Sequence, residues 1–201
     1  MTAALGFPTS PMGTLPSPPR LPATVAPRKE VHLSAGQAPE VVLALPKEAV
    51  LELFVQELGG SVGERVWVRL SDASGLTRQL AVPLNRRGRG VISGLPPGRY
   101  GLVVDGLGHA GLVVTTPGQA QVVLQEGGSL VLSAPAQRNL KVRVLFPEGL
   151  PVPLGWQANE AGEVEVKAGQ QRSLLLPAGR YQLLTDSGAS IWVDIPAGGA
   201  P

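Results

Sequence analysis

The chain has 201 residues, 43% of them hydrophobic, which supplies enough apolar material for one large or two small cores and excludes bulk disorder. Its 26 Gly and 20 Pro, with no collagen period, exclude long helices, and the absence of cysteine excludes disulfides, thiolate chemistry and cysteine-bound metal. A net charge of +2, with no strongly basic or acidic half, argues against nucleic acid as a partner.

Residues 1–8 carry no Lys or Arg and run straight into Pro8 and Pro11, so they do not form an ordinary export signal. No stretch approaches the roughly 20 apolar residues of a membrane-spanning helix. Two locations stay open: assembly from the cytoplasm, or export directed by a start further upstream. Pro8, Pro11, Pro16, Pro18, Pro19, Pro22 and Pro27 stand too close together for a ladder of hydrogen bonds, and residues 1–30 are expected to form an extended, polyproline-like arm. The arm reads either as a flexible leader or as a contact that orders on a neighbouring subunit, in a homo- or hetero-oligomeric assembly.

Beyond residue 30 the chain repeats itself. Gly98-Arg99-Tyr100-Gly-Leu102-Val-Val-Asp105 matches Gly179-Arg180-Tyr181-Gln-Leu183-Leu-Thr-Asp186 at an offset of 81. The same offset carries Val41-Val42-Leu43 onto Val122-Val123-Leu124, and an offset of 82 carries Gly36-Gln37-Ala38 onto Gly118-Gln119-Ala120. Between these anchors the offset falls to 74, pairing Val68-Arg69-Leu70 with Val142-Arg143-Val144. Two domains are expected, over 31–121 and 122–201, each with its own loop lengths.

The elements read as strands. Residues 46–59 have apolar spacing that also permits a short helix, but the repeat lays them over Gly127-Gly128, which favours strand. Val66, Val68 and Leu70 alternate around Trp67 and Arg69, and Tyr100, Leu102 and Val104 line one face of another strand. Ahead of each tyrosine, Pro97 presets a type II turn in which Gly98 takes positive φ, and Gly179 keeps that place while Ala178 replaces the proline. Tyr100 and Tyr181 then cap the core, each hydroxyl within reach of backbone at the corner.

The run Gly94-Leu95-Pro96-Pro97-Gly98-Arg99-Tyr100-x-Leu102 resembles the late-strand signature of carboxypeptidase-regulatory-like domains, the transthyretin-like or prealbumin-like β-sandwiches. In the second copy, Gly128-Ser129-Leu130, the stretch from Val142 to Pro151-Val152-Pro153, and Leu176-Pro-Ala-Gly-Arg-Tyr181 are similar to the same family. The first copy departs from it where Gly75-Leu76-Thr77 lacks the Pro-Val-Pro. The resemblance implies an all-β chain of two tandem antiparallel sandwiches, Ig-like or prealbumin-like, after the proline-rich arm. It brings no catalytic residue and no cofactor, since such domains serve as spacers, surface modules and appendages to enzymes.

Three motifs with chemical associations fail on context. Gly106-Leu-Gly108-His-Ala-Gly111 matches a dinucleotide fingerprint, but β-branched residues ending in Pro117 follow it where a helix must open. Gly59-Gly60-Ser61-Val62-Gly63 matches a nucleophile elbow, yet strand follows it, and the only imidazoles are His32 and His109. The four aspartates, Asp72, Asp105, Asp186 and Asp194, lack calcium-loop spacing, so no metal site is expected. Lys141 could enter an isopeptide crosslink of the kind found in related sandwiches, but the first copy has Trp67 there. Arg86, Arg87 and Arg89, on a glycine-rich turn, are the basic cluster that could hold an anion or an acidic partner.

The resulting expectation is a non-enzymatic structural or interaction protein in a larger assembly, of virion decoration or fibre type, using arm and sandwich edges. The alternative is a secreted or cell-surface binding module, for instance for glycans.

Overall fold

The computed structural model describes residues 48–57, 63–159 and 162–198; the proline-rich arm, the repeat anchors at 36–43 and most of the 59–63 motif lie outside them. A first unit holds β1 (Ala49–Glu57), β2 (Arg65–Ser71), β3 (Thr77–Pro83), β4 (Arg89–Leu95), β5 (Gly98–Asp105), β6 (His109–Thr116) and β7 (Gly118–Leu124). A second holds β8 (Gly128–Ser133), β9 (Leu140–Leu145), β10 (Glu163–Val166), β11 (Gln171–Leu176), β12 (Gly179–Thr185) and β13 (Ser190–Ile195). Among the described residues the one regular element that is not a strand is the 3-10 turn Gly155–Gln157. The chain is therefore all-β, as the Gly and Pro punctuation implies.

Each unit is a sandwich of two sheets. The order β4-β1-β7 packs on β3-β2-β5-β6 in the first, and β11-β8 packs on β10-β9-β12-β13 in the second. The ambiguous 46–59 stretch is strand over its described part, because Leu51, Leu53 and Val55 alternate into the core. One pair departs from the antiparallel expectation: β1 and β7 run parallel, from Leu51 opposite Gly118 to Glu57 opposite Leu124. That pairing also corrects the domain boundary. A division between 121 and 122 would cut β7, which belongs to the first sandwich along its whole length and buries Val122 and Leu124 there.

The turns before the tyrosines differ from the expected type II geometry. Gly98 is not among the glycines with positive φ; the left-handed residue in this region is Gly94, at φ 76°. Gly98 is already part of β5, paired with Thr116, and its N–H donates to Thr116 Oγ1 at 3.1 Å. The Thr116 hydroxyl distinguishes this corner from the second, where Ile195 stands opposite Gly179. Gly179 does take positive φ, at 150°. Tyr100 Oη donates to the Pro96 carbonyl at 2.8 Å, which also accepts Thr116 Oγ1 at 2.8 Å, and Tyr181 Oη donates to the Pro177 carbonyl at 2.9 Å.

The two sandwiches are locked together through β5. In an ordinary two-layer domain a strand buries alternate residues, but here every residue from Tyr100 to Val104 is buried. Tyr100, Leu102 and Val104 face the first core, while Val103 joins the second core beside Phe146 and Tyr181. Gly101 and Gly111 allow this approach. A Cβ on Gly101 would collide with the Pro151 carbonyl and come within 2.9 Å of the Phe146 ring; one on Gly111 would lie 3.1 Å from Tyr181 Oη. Ser71 Oγ donates to the same Pro151 carbonyl. Phe146 and Pro151 come from the β9–β10 connection, which is far longer than its counterpart Asp72–Leu76, and Pro177 and Tyr181 come from the second unit's tyrosine corner.

Gly101→Ala therefore overpacks the junction, and a loss of about 1–3 kcal/mol is expected from urea unfolding. Gly98→Ala, whose Cβ meets only the Tyr100 ring at 3.9 Å, should cost well under ~1 kcal/mol. Equal losses would refute this account of the junction. Burial also pushes the Tyr181 phenol above its ordinary value of 10.0. The folded chain then holds that proton where the unfolded chain has lost it. Stability from this source is complete below about pH 10 and falls as pH rises above it. Tyr181→Phe should remove part of the alkaline decline in the urea midpoint, leaving the smaller share due to Tyr100, whose phenol is also raised, chiefly by burial.

Candidate functional site

The junction leaves a cleft of about 490 Å³ whose walls come from both units. Alternation along β2 sends Val66, Val68 and Leu70 inward and turns Trp67 and Arg69 toward the second unit. Across the sheet, Trp67 pairs with Asp105 at the end of β5, and the tight turn Gly106–Gly108 places His109 directly opposite Asp105. The second unit contributes Ser129, Ser173, Leu175, Trp156 and Gln157.

Asp105 organises the polar floor. Its carboxylate accepts Arg69 Nε at 3.0 Å and Arg69 Nη2 at 3.1 Å, a two-pronged geometry that fixes the guanidinium. It also meets His109 Nδ1 at 2.7 Å. An ionised carboxylate only accepts, so Nδ1 carries the proton and Nε2 is left as the second polar atom of the ring. Arg69 is further packed by the 3-10 turn: a Cβ on Gly155 would lie 3.2 Å from Arg69 Cδ. Gln157 is buried, and its amide completes the edge of β11 by accepting Leu175 N at 3.0 Å and donating to Leu175 O at 3.3 Å.

Over this floor stand two tryptophans, Trp67 at 50% exposure and Trp156 at 89%. Indole rings left in water beside oriented hydrogen-bonding groups form a stacking platform with fixed polar edges. An Asp–His pair could in principle activate a hydroxyl. Here the cleft hydroxyls of Ser129 and Ser173 are bonded to each other at 2.5 Å. The arrangement suits holding a ligand better than nucleophilic chemistry.

The sequence-predicted residues lie elsewhere. Arg86 and Arg87 are exposed on the β3–β4 turn, where Asn85 Oδ1 accepts the backbone N–H groups of Arg87 and Arg89. Arg89 is committed to the strand: it pairs with Glu52 at 2.7 Å and lies over the Phe54 ring at 5.9 Å. Of the three, Arg89 is thus engaged by Glu52 and Phe54. Pro97, Gly98, Tyr100, Gly179 and Tyr181 form the two corners and line no part of the cleft. The Gly106–Gly111 motif is the β5–β6 hairpin, and Lys141 is exposed on β9. Asp105, His109 and Trp67 stand apart in the sequence, and the short turn between Asp105 and His109 is the local signal that these two face each other. Nothing local announces Arg69 or Trp156 as their partners.

No family model matches the chain and no curated protein matches it. Among solved structures, the Bacillus anthracis TIE protein is similar at 14% identity and TM-score 0.32, over 76% of this chain and 32% of that one, so this chain spans about a third of its length. The minor pilin of Streptococcus agalactiae is similar at 16% identity and TM-score 0.37, over 75% and 91%. A DUF3823 family protein from Bacteroides ovatus is similar at 14% and TM-score 0.31, over 75% and 97%. At these identities and TM-scores the likenesses carry no argument about ligand or activity; the β-sandwich assignment stands on the strand pairing itself.

Asp105→Ala should leave Arg69 without its partner in a site where that side chain is 14% exposed, at a cost of about 1–3 kcal/mol in urea unfolding. Asp105→Asn, which keeps one acceptor oxygen, should lose less. An unchanged midpoint for Asp105→Ala would show that the pair does not organise the cleft.

Proposed function

We propose that the chain is a non-enzymatic structural and interaction protein: a rigid pair of β-sandwiches that works as one component of a fibre-type assembly. The observation that carries this reading is the burial of β5 on both faces, which joins the two units into one stiff body with its loops and sheet edges turned outward. The turn-and-tyrosine signature supports reading both units as of the carboxypeptidase-regulatory-like kind. The proline-rich residues 1–30 serve as a contact arm on a neighbouring subunit. Light scattering after size exclusion should give a mass that rises above 20.8 kDa with concentration. A chain starting at Glu30 should assemble more weakly. A single 20.8 kDa species at every concentration would overturn the assembly reading, and equal assembly of the shortened chain would remove the arm from it.

A second reading is favoured by the exposed tryptophans of the cleft: a surface-binding module that stacks a sugar ring on Trp67 or Trp156 and holds its hydroxyls on the floor beneath. Titration with an oligosaccharide panel should then quench tryptophan fluorescence saturably, and Trp156→Ala should weaken binding by roughly fivefold or more, since a well-placed aromatic contact is worth ~1 kcal/mol or more. No saturable response across the panel would remove this reading.

A further inference from the structure

The two sandwiches match strand for strand except at one place. β11-β8 corresponds to β4-β1, and β10-β9-β12-β13 corresponds to β3-β2-β5-β6. In the first unit the remaining edge of β1 is covered by the parallel strand β7, which contributes Ala120, Val122 and Leu124 to the core. In the second unit no strand among the described residues pairs with the remaining edge of β8.

The consequence is visible in the core. Ala49 pairs with Leu95 as Gly128 pairs with Leu176, which makes Leu130 the counterpart of Leu51. Leu51 is fully buried, whereas Leu130 is only partly so. The other edge of this two-stranded sheet is treated differently, because the Gln157 amide satisfies Leu175 on β11. One edge is closed by a side chain, and at the other no described residue pairs with the backbone of β8 or supplies the counterpart of the Ala-Val-Leu set.

The sequence contains a segment of the required form. Gly36-Gln-Ala-Pro-Glu-Val-Val-Leu43 repeats Gly118-Gln-Ala-Gln-Val-Val-Leu124 of β7, with Pro39-Glu40 in place of Gln121. Ala38, Val41 and Leu43 correspond to the inward Ala120, Val122 and Leu124. The extra residue between Ala38 and Val41 would break the alternation unless absorbed by a bulge, a position where proline is tolerated because the N–H it lacks is not needed for the ladder. The connections are both short. β7 leads into β8 through residues 125–127, and Leu43 leads into β1 through residues 44–48. In sequence, segment 36–43 thus precedes β1 as β7 precedes β8.

Building on the assembly reading above, we infer that residues 36–43 of one copy add as a parallel strand to the free edge of β8 in a second copy, joining copies head to tail. Main-chain bonds supply the affinity, and Ala38, Val41 and Leu43 complete the second sandwich of the acceptor. The contact is heterologous, so it propagates into a filament unless the rotation between copies closes a ring.

The register follows β1–β7, in which Glu52 faces Gln119; the equivalent pair is Val131, 57% exposed, with Gln37. The natural chain has no cysteine, so full-length Gln37→Cys/Val131→Cys reports this contact alone. Oxidation should give a reducible ladder of dimers and higher species, and a mixture of the two single variants should stop at dimers. Gln37→Cys/Ser187→Cys, with its second thiol on the exposed β12–β13 turn, should give none. Crosslinking confined to single chains would assign the edge to the copy's own segment and overturn the inference. So would no crosslink, or a control ladder as strong. In the same full-length chain, Val41→Asp should weaken assembly by light scattering at least tenfold. Wild-type assembly that survives Val41→Asp and gives no ladder would refute strand donation while leaving the assembly reading intact; a monomeric wild type would refute both.

Discussion

Everything distinctive about this molecule depends on a strand buried on two sides. β5 is hydrogen-bonded to β2 and β6 within its own sheet, and its outward face is covered by the second sandwich. Two glycines on the covered face, Gly101 and Gly111, let a backbone carbonyl and two aromatic rings approach to van der Waals distance. Burying Val103 in the partner core adds about 1.5–3 kcal/mol of hydrophobic stabilisation to the junction. The orientation of the second unit, and with it the shape of the cleft, follows from this one face.

The cleft illustrates how a site arises from docking. Its floor is a partly buried ion pair and a histidine held by one carboxylate, and its rim is aromatic. The first unit alone would leave Arg69, Asp105 and His109 on an open sheet face. The second unit alone would leave Trp156 on an isolated loop. Together they enclose a space in which polar groups are already oriented, the condition under which recognition loses least to ordering.

Much of this could be read from the residues. The Gly and Pro distribution marked the turns; alternation at Val66–Leu70 and Tyr100–Val104 identified core faces; the offset of 81 matched β5 with β12. The failures have physical causes. The positive φ expected at Gly98 follows a local turn rule, which does not register the Thr116 hydroxyl that binds the Gly98 N–H across the β5–β6 pair. The boundary at 121/122 treated the repeat as starting with Val122, whereas the parallel pairing of β7 with β1 assigns that segment to the end of a unit. The arginine cluster looked like a single feature because its members are adjacent in sequence, yet Arg89 lies in a strand and pairs with Glu52.

By itself the sequence determined an all-β chain, its strands and its core faces, because these depend on residue type and local period. Only the tertiary structure decided which outward face would be buried and that Arg69, Asp105, His109 and Trp156 would meet. Those outcomes depend on the long β9–β10 connection folding over Gly101 and Gly111, a packing event between residues too far apart in the chain for any local pattern to record.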